Sequence, residues 1–158
     1  MALTVLVDTN VSLIDANAYF RNRLDTAAWD TELDARKEQA LATATMLLDD
    51  LPWTGVAASE TQPLAFPRTG SYFEPKLGML VMFTTVVPKR VVQATCELAN
   101  HLLVNADIIN PSGGVDDIRI GNISLTKIRN TGVVPYSIKK GILPLLQGGG
   151  AKTVWRAN

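Results

Sequence analysis

Residues 31–51, TELDARKEQALATATMLLDDL, decide the fold of the chain. Residues with high helix propensity fill this stretch, and Pro52 directly after it bars continuation. Thr31 and Asp34 have the spacing of a helix cap. The apolar positions recur every three or four residues and predict one long amphipathic helix; they are Leu33, Ala40, Leu41, Ala44, Leu47, Leu48 and Leu51.

Three further helices are expected, one before this helix and two after it. Ser12 caps a helix that runs to about Leu24, with Asp15 at the spacing of a capping box. Pro88 suits a first helical position and opens a helix through about Val104. Pro135 opens a last short helix, which Gly141 and Pro144 weaken or kink and whose apolar side is Ile138, Ile142, Leu145 and Leu146.

Two segments lack a helical pattern. Residues 52–76 gather Gly, Pro, Ser and Thr, and a loop of this length is expected to be functional or well packed. Its aromatic residues favour the packed loop, in which they fold back onto the helices; they are Trp53, Phe66, Tyr72 and Phe73. Further on, the apolar period changes to two around Gly121-Asn122, which predicts a β-hairpin at about 115–128.

The pattern as a whole predicts a mainly α fold. We expect a small bundle of about four helices with a β-hairpin or short strand pair and a C-terminal tail. Residues 1–147 would form one domain that holds the packed loop and the hairpin. Residues 148–158 follow a triple glycine, Gly148-Gly149-Gly150, and would form a flexible tail.

Charge is sorted along the chain. The 158 residues include 15 basic and 15 acidic side chains, so the formal net charge is zero. All acids lie at or before Asp117: residues 1–117 hold 8 basic and 15 acidic residues (−7), and residues 118–158 hold 7 basic residues and no acid (+7). A uniform nucleic-acid binder is therefore not expected. The division suggests two parts that touch each other or face different partners.

The composition argues against several classes of site. One cysteine, Cys96, excludes an internal disulfide, and one histidine, His101, excludes a His-rich zinc site. No nucleophile motif surrounds the histidine, and the triple glycine lacks the spacing of a phosphate-binding loop. The apolar stretch 77–87 is too short to span a bilayer. We expect a protein without catalytic activity, cofactor, metal or membrane contact.

The basic C-terminal portion leaves two interpretations open. Tyr136 with Lys139 and Lys140, and Trp155 with Lys152 and Arg156, each pair an aromatic ring with cations, as single-strand binders do. Alternatively, the lysines solvate the outer face of the last helix. Trp155 either packs back on its own domain or anchors in another protein.

Several motifs together resemble one family. Residues 11–20 read VSLIDANAYF, residues 40–45 ALATAT, residues 63–70 PLAFPRTG, and residues 94–99 ATCELA after Val87-Pro88; residues 142–146, ILPLL, resemble its closing helix. In this order and spacing they resemble the head–tail connector (adaptor) proteins of tailed phages, often labelled DnaT-like single-stranded-DNA-binding proteins. Phe66 stands where a tryptophan is common, and Asp8-Thr9-Asn10 lacks a frequent glycine.

The resemblance implies a structural virion protein. It would form a homo-oligomeric ring, dodecameric by resemblance, under the portal, extend the DNA channel and provide the platform for tail assembly. Its partners would be itself, the portal protein, a tail or nozzle protein and the passing genomic DNA, and its location the virion neck, after synthesis in the host cytoplasm. The alternative is a single-stranded-DNA-binding or replication-accessory protein.

Two sets of site residues follow. The resemblance implies a portal-binding tail, comprising Gly148, Gly149, Gly150, Lys152, Val154, Trp155 and Arg156. A second set of basic residues would lie at the ring interface or the DNA channel; it comprises Arg119, Lys127, Arg129, Lys139 and Lys140.

Overall fold

The computed structural model describes residues 3–105, 117–120, 123–126 and 134–148, the two short middle stretches by their backbone alone. Within these residues lie five α-helices and three two-stranded antiparallel sheets. The helices are α1 (Leu13–Phe20), α2 (Ala27–Thr31), α3 (Asp34–Asp49), α4 (Lys89–Val104) and α5 (Tyr136–Ile142). The strands are β1 (Val56–Ala57), β2 (Arg68–Thr69), β3 (Ser71–Glu74), β4 (Met79–Met82), β5 (Asp117–Ile120) and β6 (Ile123–Thr126).

The core lies between α3 and α4, the two long helices, which pack against each other. Leu41 and Leu48 of α3 and Leu98 of α4 are fully buried. The buried rings of Phe20 and Trp29 also belong to this core, and their centroids lie 4.5 Å apart. Leu47, by contrast, is only partly buried against this core.

The capping prediction holds for α1 and fails for α3. Ser12 Oγ accepts a hydrogen bond from the Asp15 backbone N–H at 3.1 Å. α1 nevertheless ends at Phe20, four residues before the expected end. Thr31 is the last residue of α2, where its hydroxyl donates to the Ala27 carbonyl oxygen, so it cannot cap α3; Leu33 occupies that position without a side-chain bond.

The prediction of a mainly α fold holds only in part, because residues 52–82 contain four strands. β1 pairs with β2, and β3 pairs with β4 through a turn at Gly78, whose φ of +68° suits glycine. The architecture is therefore mixed α/β. Of the four aromatic residues expected to fold back, Trp53 and Phe66 are buried, Tyr72 is half-buried, and Phe73 is 49% exposed.

The C-terminal half follows the expected order. Pro88 lies one position before α4, as its N-cap. β5 pairs antiparallel with β6, with Asp117 opposite Thr126 and Ile120 opposite Ile123. α5 begins after Pro135 and passes into a 3₁₀ turn at Pro144, and Ile142, Leu145 and Leu146 are buried. Among the described helices, none combines the length and apolarity needed to cross a bilayer.

Candidate functional site

The outer face of α5 presents one aromatic and two basic side chains. Tyr136 is 81% exposed, and Lys139 and Lys140 are exposed. Positions three and four residues apart lie on one side of a helix, so the ring and both ammonium groups share this face. We call these three residues the α5 platform.

Tertiary contacts fix the helix that carries the α5 platform. Ile142 is fully buried, and Ile138 is packed against the core. Arg90 of α4 donates from Nη1 to the Gly141 carbonyl oxygen at 2.9 Å and so ties α5 to α4. The exposed side chains therefore project from a helix that tertiary contacts hold in place.

Carboxylates near α5 are already paired with arginines. A cavity of about 160 Å³ beside α5 is lined by Tyr19, Arg23, Arg90, Glu97, Ser137 and Gly141, among others. Arg23 lies 3.0 Å from Glu97, which also accepts a hydrogen bond from the Tyr19 hydroxyl. The Arg90 guanidinium binds Glu74, with Nε 2.7 Å from Oε2. These pairs leave the two lysines of the platform as a positive patch.

The Glu74–Arg90 pair joins the β3–β4 hairpin to the helices. Only 11% of the Glu74 side chain is exposed. Hydrogen bonding from Arg90 lowers the pKa of Glu74 to about 2, and the Lys76 backbone N–H contributes to the same shift. The carboxylate is therefore ionised at neutral pH and loses its charge only as the pH falls toward 2.

A second exposed feature is the outer face of that hairpin. Phe73 lies opposite Leu80, and Met82 extends the same face of the pleat. All three are about half exposed or more, at 49%, 66% and 67%. We call Phe73, Leu80 and Met82 the apolar hairpin face. Contiguous exposed apolar side chains of this kind mark interaction surfaces.

The site residues expected from the sequence are only partly within the described residues. Lys139 and Lys140 lie on the α5 platform, and Arg119 lies on β5 by its backbone. Gly148 adopts a φ of +75° after the 3₁₀ turn. The other members lie outside the described residues: Lys127, Arg129, Gly149, Gly150, Lys152, Val154, Trp155 and Arg156. The sequence pattern did not predict the apolar hairpin face, although Pro75 and Gly78, between Tyr72-Phe73 and the apolar residues 79–82, are usable turn signals.

Cys96 and His101 do not form a site with each other. Cys96 is fully buried, and burial raises the pKa of its thiol to about 12. His101 is half-buried near the Asn105 side chain. No group of three potential metal ligands occurs in the part of the chain that the structure describes.

The buried thiol should be unreactive in the folded protein. Only the thiolate attacks a disulfide reagent, and a pKa of about 12 leaves almost none at pH 8. We expect Cys96 to react with Ellman's reagent at pH 8 only after unfolding in urea. Rapid reaction of one thiol per chain without urea would contradict the packing of α4.

The chain as a whole matches one known family. The family model described as "Putative DnaT-like ssDNA binding protein" matches residues 4–157. The chain belongs to this family. No curated protein and no solved structure matches the DnaT-like chain. The family description names single-stranded DNA. It agrees with the alternative expected from the sequence, a single-stranded-DNA-binding protein, rather than with the connector role.

Proposed function

We propose that this DnaT-like protein binds single-stranded DNA through the α5 platform. The observation that carries the proposal is the exposed Tyr136 ring on the same helical face as Lys139 and Lys140. The family description supports it. The protein acts as a binding protein without catalytic chemistry.

Each side chain of the platform has a separate task. A base stacks on Tyr136, which requires no particular sequence because every base has a π-face. Lys139 and Lys140 contact the flanking phosphates and release counterions, which makes binding dependent on salt. Since Ile142 and the Arg90–Gly141 bond hold α5 in place, little ordering free energy is lost on binding.

The first test replaces the stacking ring. In titrations of a fluorescein-labelled oligothymidylate followed by anisotropy, Tyr136→Ala should weaken binding by about 5- to 150-fold, the equivalent of about 1–3 kcal/mol for one stacked base. Tyr136→Phe keeps the ring and is the matched control, with affinity close to that of the unmodified protein. Equal affinity of all three proteins would contradict stacking at this position.

We also propose a second function, a virion connector, because the apolar hairpin face favours assembly. Phe73, Leu80 and Met82 offer a surface that a neighbouring subunit could cover. In such a ring each subunit contacts its neighbours through two different surfaces, and the sorted charge of the chain would steer that contact. The α5 platform would then meet DNA in the channel. This proposal includes the virion neck as location and the portal and tail or nozzle proteins as partners.

The assembly proposal is tested by mass. Light scattering after gel filtration should give an oligomer for the purified protein, and Leu80→Asp should convert it to a monomer because it places a charge in the covered face. Leu24→Asp is the matched control, since Leu24 is 95% exposed and lies outside the hairpin. A monomer for the unmodified chain at all concentrations, with or without the cognate portal, would contradict the connector function.

The tail has its own test within this second proposal. Residues 148–158, with Trp155 as anchor, would attach the ring to the portal. Deleting them should abolish co-purification with the cognate portal and leave the fold intact, as judged by an unchanged far-ultraviolet circular-dichroism spectrum. Undiminished attachment would show that another surface binds the portal.

A further inference from the structure

A groove at the N-terminal side of the fold has the properties of a peptide-binding site. It encloses about 460 Å³ between the segment before α1 and the start of α4. Val11 and Val87 are buried in it, and Val86 at its rim is 70% exposed. The apolar lining includes Val5, Leu6, Val11, Val86, Val87 and Val92.

Among the described residues that line the groove, one buried side chain lacks a hydrogen-bond partner. Asn10 lines it and is only 3% exposed. Its backbone N–H donates to Thr45 Oγ1 at 3.2 Å, but its side-chain N and O have no hydrogen-bond partner among the described residues. A buried carboxamide left in this state is destabilising. Its NH2 group can donate and its carbonyl oxygen can accept, the combination that pairs with a peptide group of an extended chain.

We propose that the groove binds the C-terminal segment 151–158 of the same chain, with the Trp155 side chain among the valines and Asn10 paired with its backbone. The sequence of the segment fits this groove: AKTVWRAN places Val154 and Trp155 between Lys152 and Arg156. Asp15 lines the groove, and Asp8 lies exposed in the adjoining segment. An apolar groove with acidic groups thus receives an apolar segment with flanking cations.

The contacts of the described residues place the groove within reach of the C-terminal segment. Leu146 forms a bridge with Trp53, and Trp53 Nε1 donates to the Leu48 carbonyl oxygen at 2.8 Å. Asn10 binds Thr45 on the same helix, about 4.5 Å of helix rise from Leu48. Trp155 follows Leu146 by nine residues, which extend to about 30 Å. Leu146, through Trp53, and Asn10, through Thr45, are thus joined to the same turn of α3. Nine residues are long enough for Trp155 to reach the groove of its own chain.

This binding would keep the tryptophan and the groove covered in the free protein, and a partner that binds either of them would have to displace the segment. The inference does not rest on the proposed functions. It shares residues 151–158 with the portal-binding proposal, but its test needs neither the portal nor DNA.

A photocrosslink in the full-length chain tests the inference. The probe is p-benzoylphenylalanine in place of Trp155, and the readout is the position of the crosslink by mass spectrometry in a mixture of isotope-labelled and unlabelled protein. We expect crosslinks to residues 5–15 or 85–92 within one chain. Crosslinks to other parts of the chain, or only between labelled and unlabelled chains, would overturn it.

Two matched substitutions in the probe-bearing chain sharpen the result. Val86→Asp places a carboxylate in the groove and should reduce the crosslink yield about tenfold or more. Val104→Asp makes the same change at a residue that is 62% exposed outside the groove and should leave the yield unchanged. Asn10→Leu should keep the thermal unfolding midpoint and reduce the yield several-fold. Full yield with Val86→Asp, or equal losses for the two aspartate variants, would overturn the assignment.

Discussion

Replacing Phe66 with Ala is expected to lower the free energy of unfolding by about 3–5 kcal/mol. Phe66 is 1% exposed and lies edge-on to Trp53, with ring centroids 4.9 Å apart, and 6.1 Å from the Phe83 ring. The alanine would leave a cavity between these rings, and no new contact would replace the lost packing. Urea unfolding followed by circular dichroism measures the loss.

Phe73 is the matched control for this prediction. The same substitution there removes a ring that is 49% exposed, so we expect a loss below about 1 kcal/mol. Equal losses at the two positions would mean that the segment between α3 and α4 does not pack as described.

The second large effect is expected at Glu74. Glu74→Gln removes the charge that pairs with Arg90, and breaking a mostly buried ion pair costs about 3–5 kcal/mol. Because 28% of the Arg90 side chain is exposed, water can partly solvate the remaining cation, and we expect the lower end of this range. The control is Asp34→Asn. Asp34 is 74% exposed beside Lys37, and its loss should cost less than about 1 kcal/mol.

The pair also predicts a pH dependence. The pKa of Glu74 falls from an ordinary value of 4.5 to about 2 on folding, so its contribution is fully present above about pH 4.5. It is lost as the pH falls toward 2, because the unfolded chain takes up a proton first. Urea unfolding between pH 2 and 7 should therefore show a steeper acid decline for the unmodified protein than for Glu74→Gln. Parallel curves would contradict the ion pair.

The long helices could be predicted because their apolar stripes extend over several turns. α3 and α4 both lie where the periodicity places them. α2 could not be predicted, since its five residues depend on Trp29, which is buried and donates from Nε1 to Asn17 Oδ1 at 2.9 Å. That contact joins two elements and leaves no periodic signal in the sequence.

The strands between α3 and α4 depend on contacts of the same kind. Arg68 donates to the carbonyl oxygens of Thr54 and Gly55, at 2.8 Å and 2.7 Å, and so fixes β2 beside β1. No local pattern indicates which carbonyl groups a distant arginine will bind. A segment rich in Gly, Pro and Ser therefore has the sequence pattern of a loop although it contains paired strands.

The α5 platform could be predicted from the sequence, whereas the apolar hairpin face could not. Tyr136, Lys139 and Lys140 lie in one short helix, so their spacing alone predicts a shared face. The apolar hairpin face requires the register that sets Phe73 opposite Leu80. A shift of one residue would turn Phe73 to the other side, and only the folded hairpin fixes that choice.

The salt dependence of single-stranded-DNA binding tests the central claim most directly. Each phosphate that a lysine neutralises on a single strand contributes about 0.7 to the slope of log K against log salt, so Lys139→Ala/Lys140→Ala should flatten that slope by about 1.4. Oligothymidylate titrations between 20 and about 200 mM salt measure it for both proteins. We predict a salt-dependent affinity for the unmodified protein and the flatter slope for the double variant. Identical slopes, or no binding at the lowest salt, would contradict the assignment of the α5 platform as the DNA-binding surface.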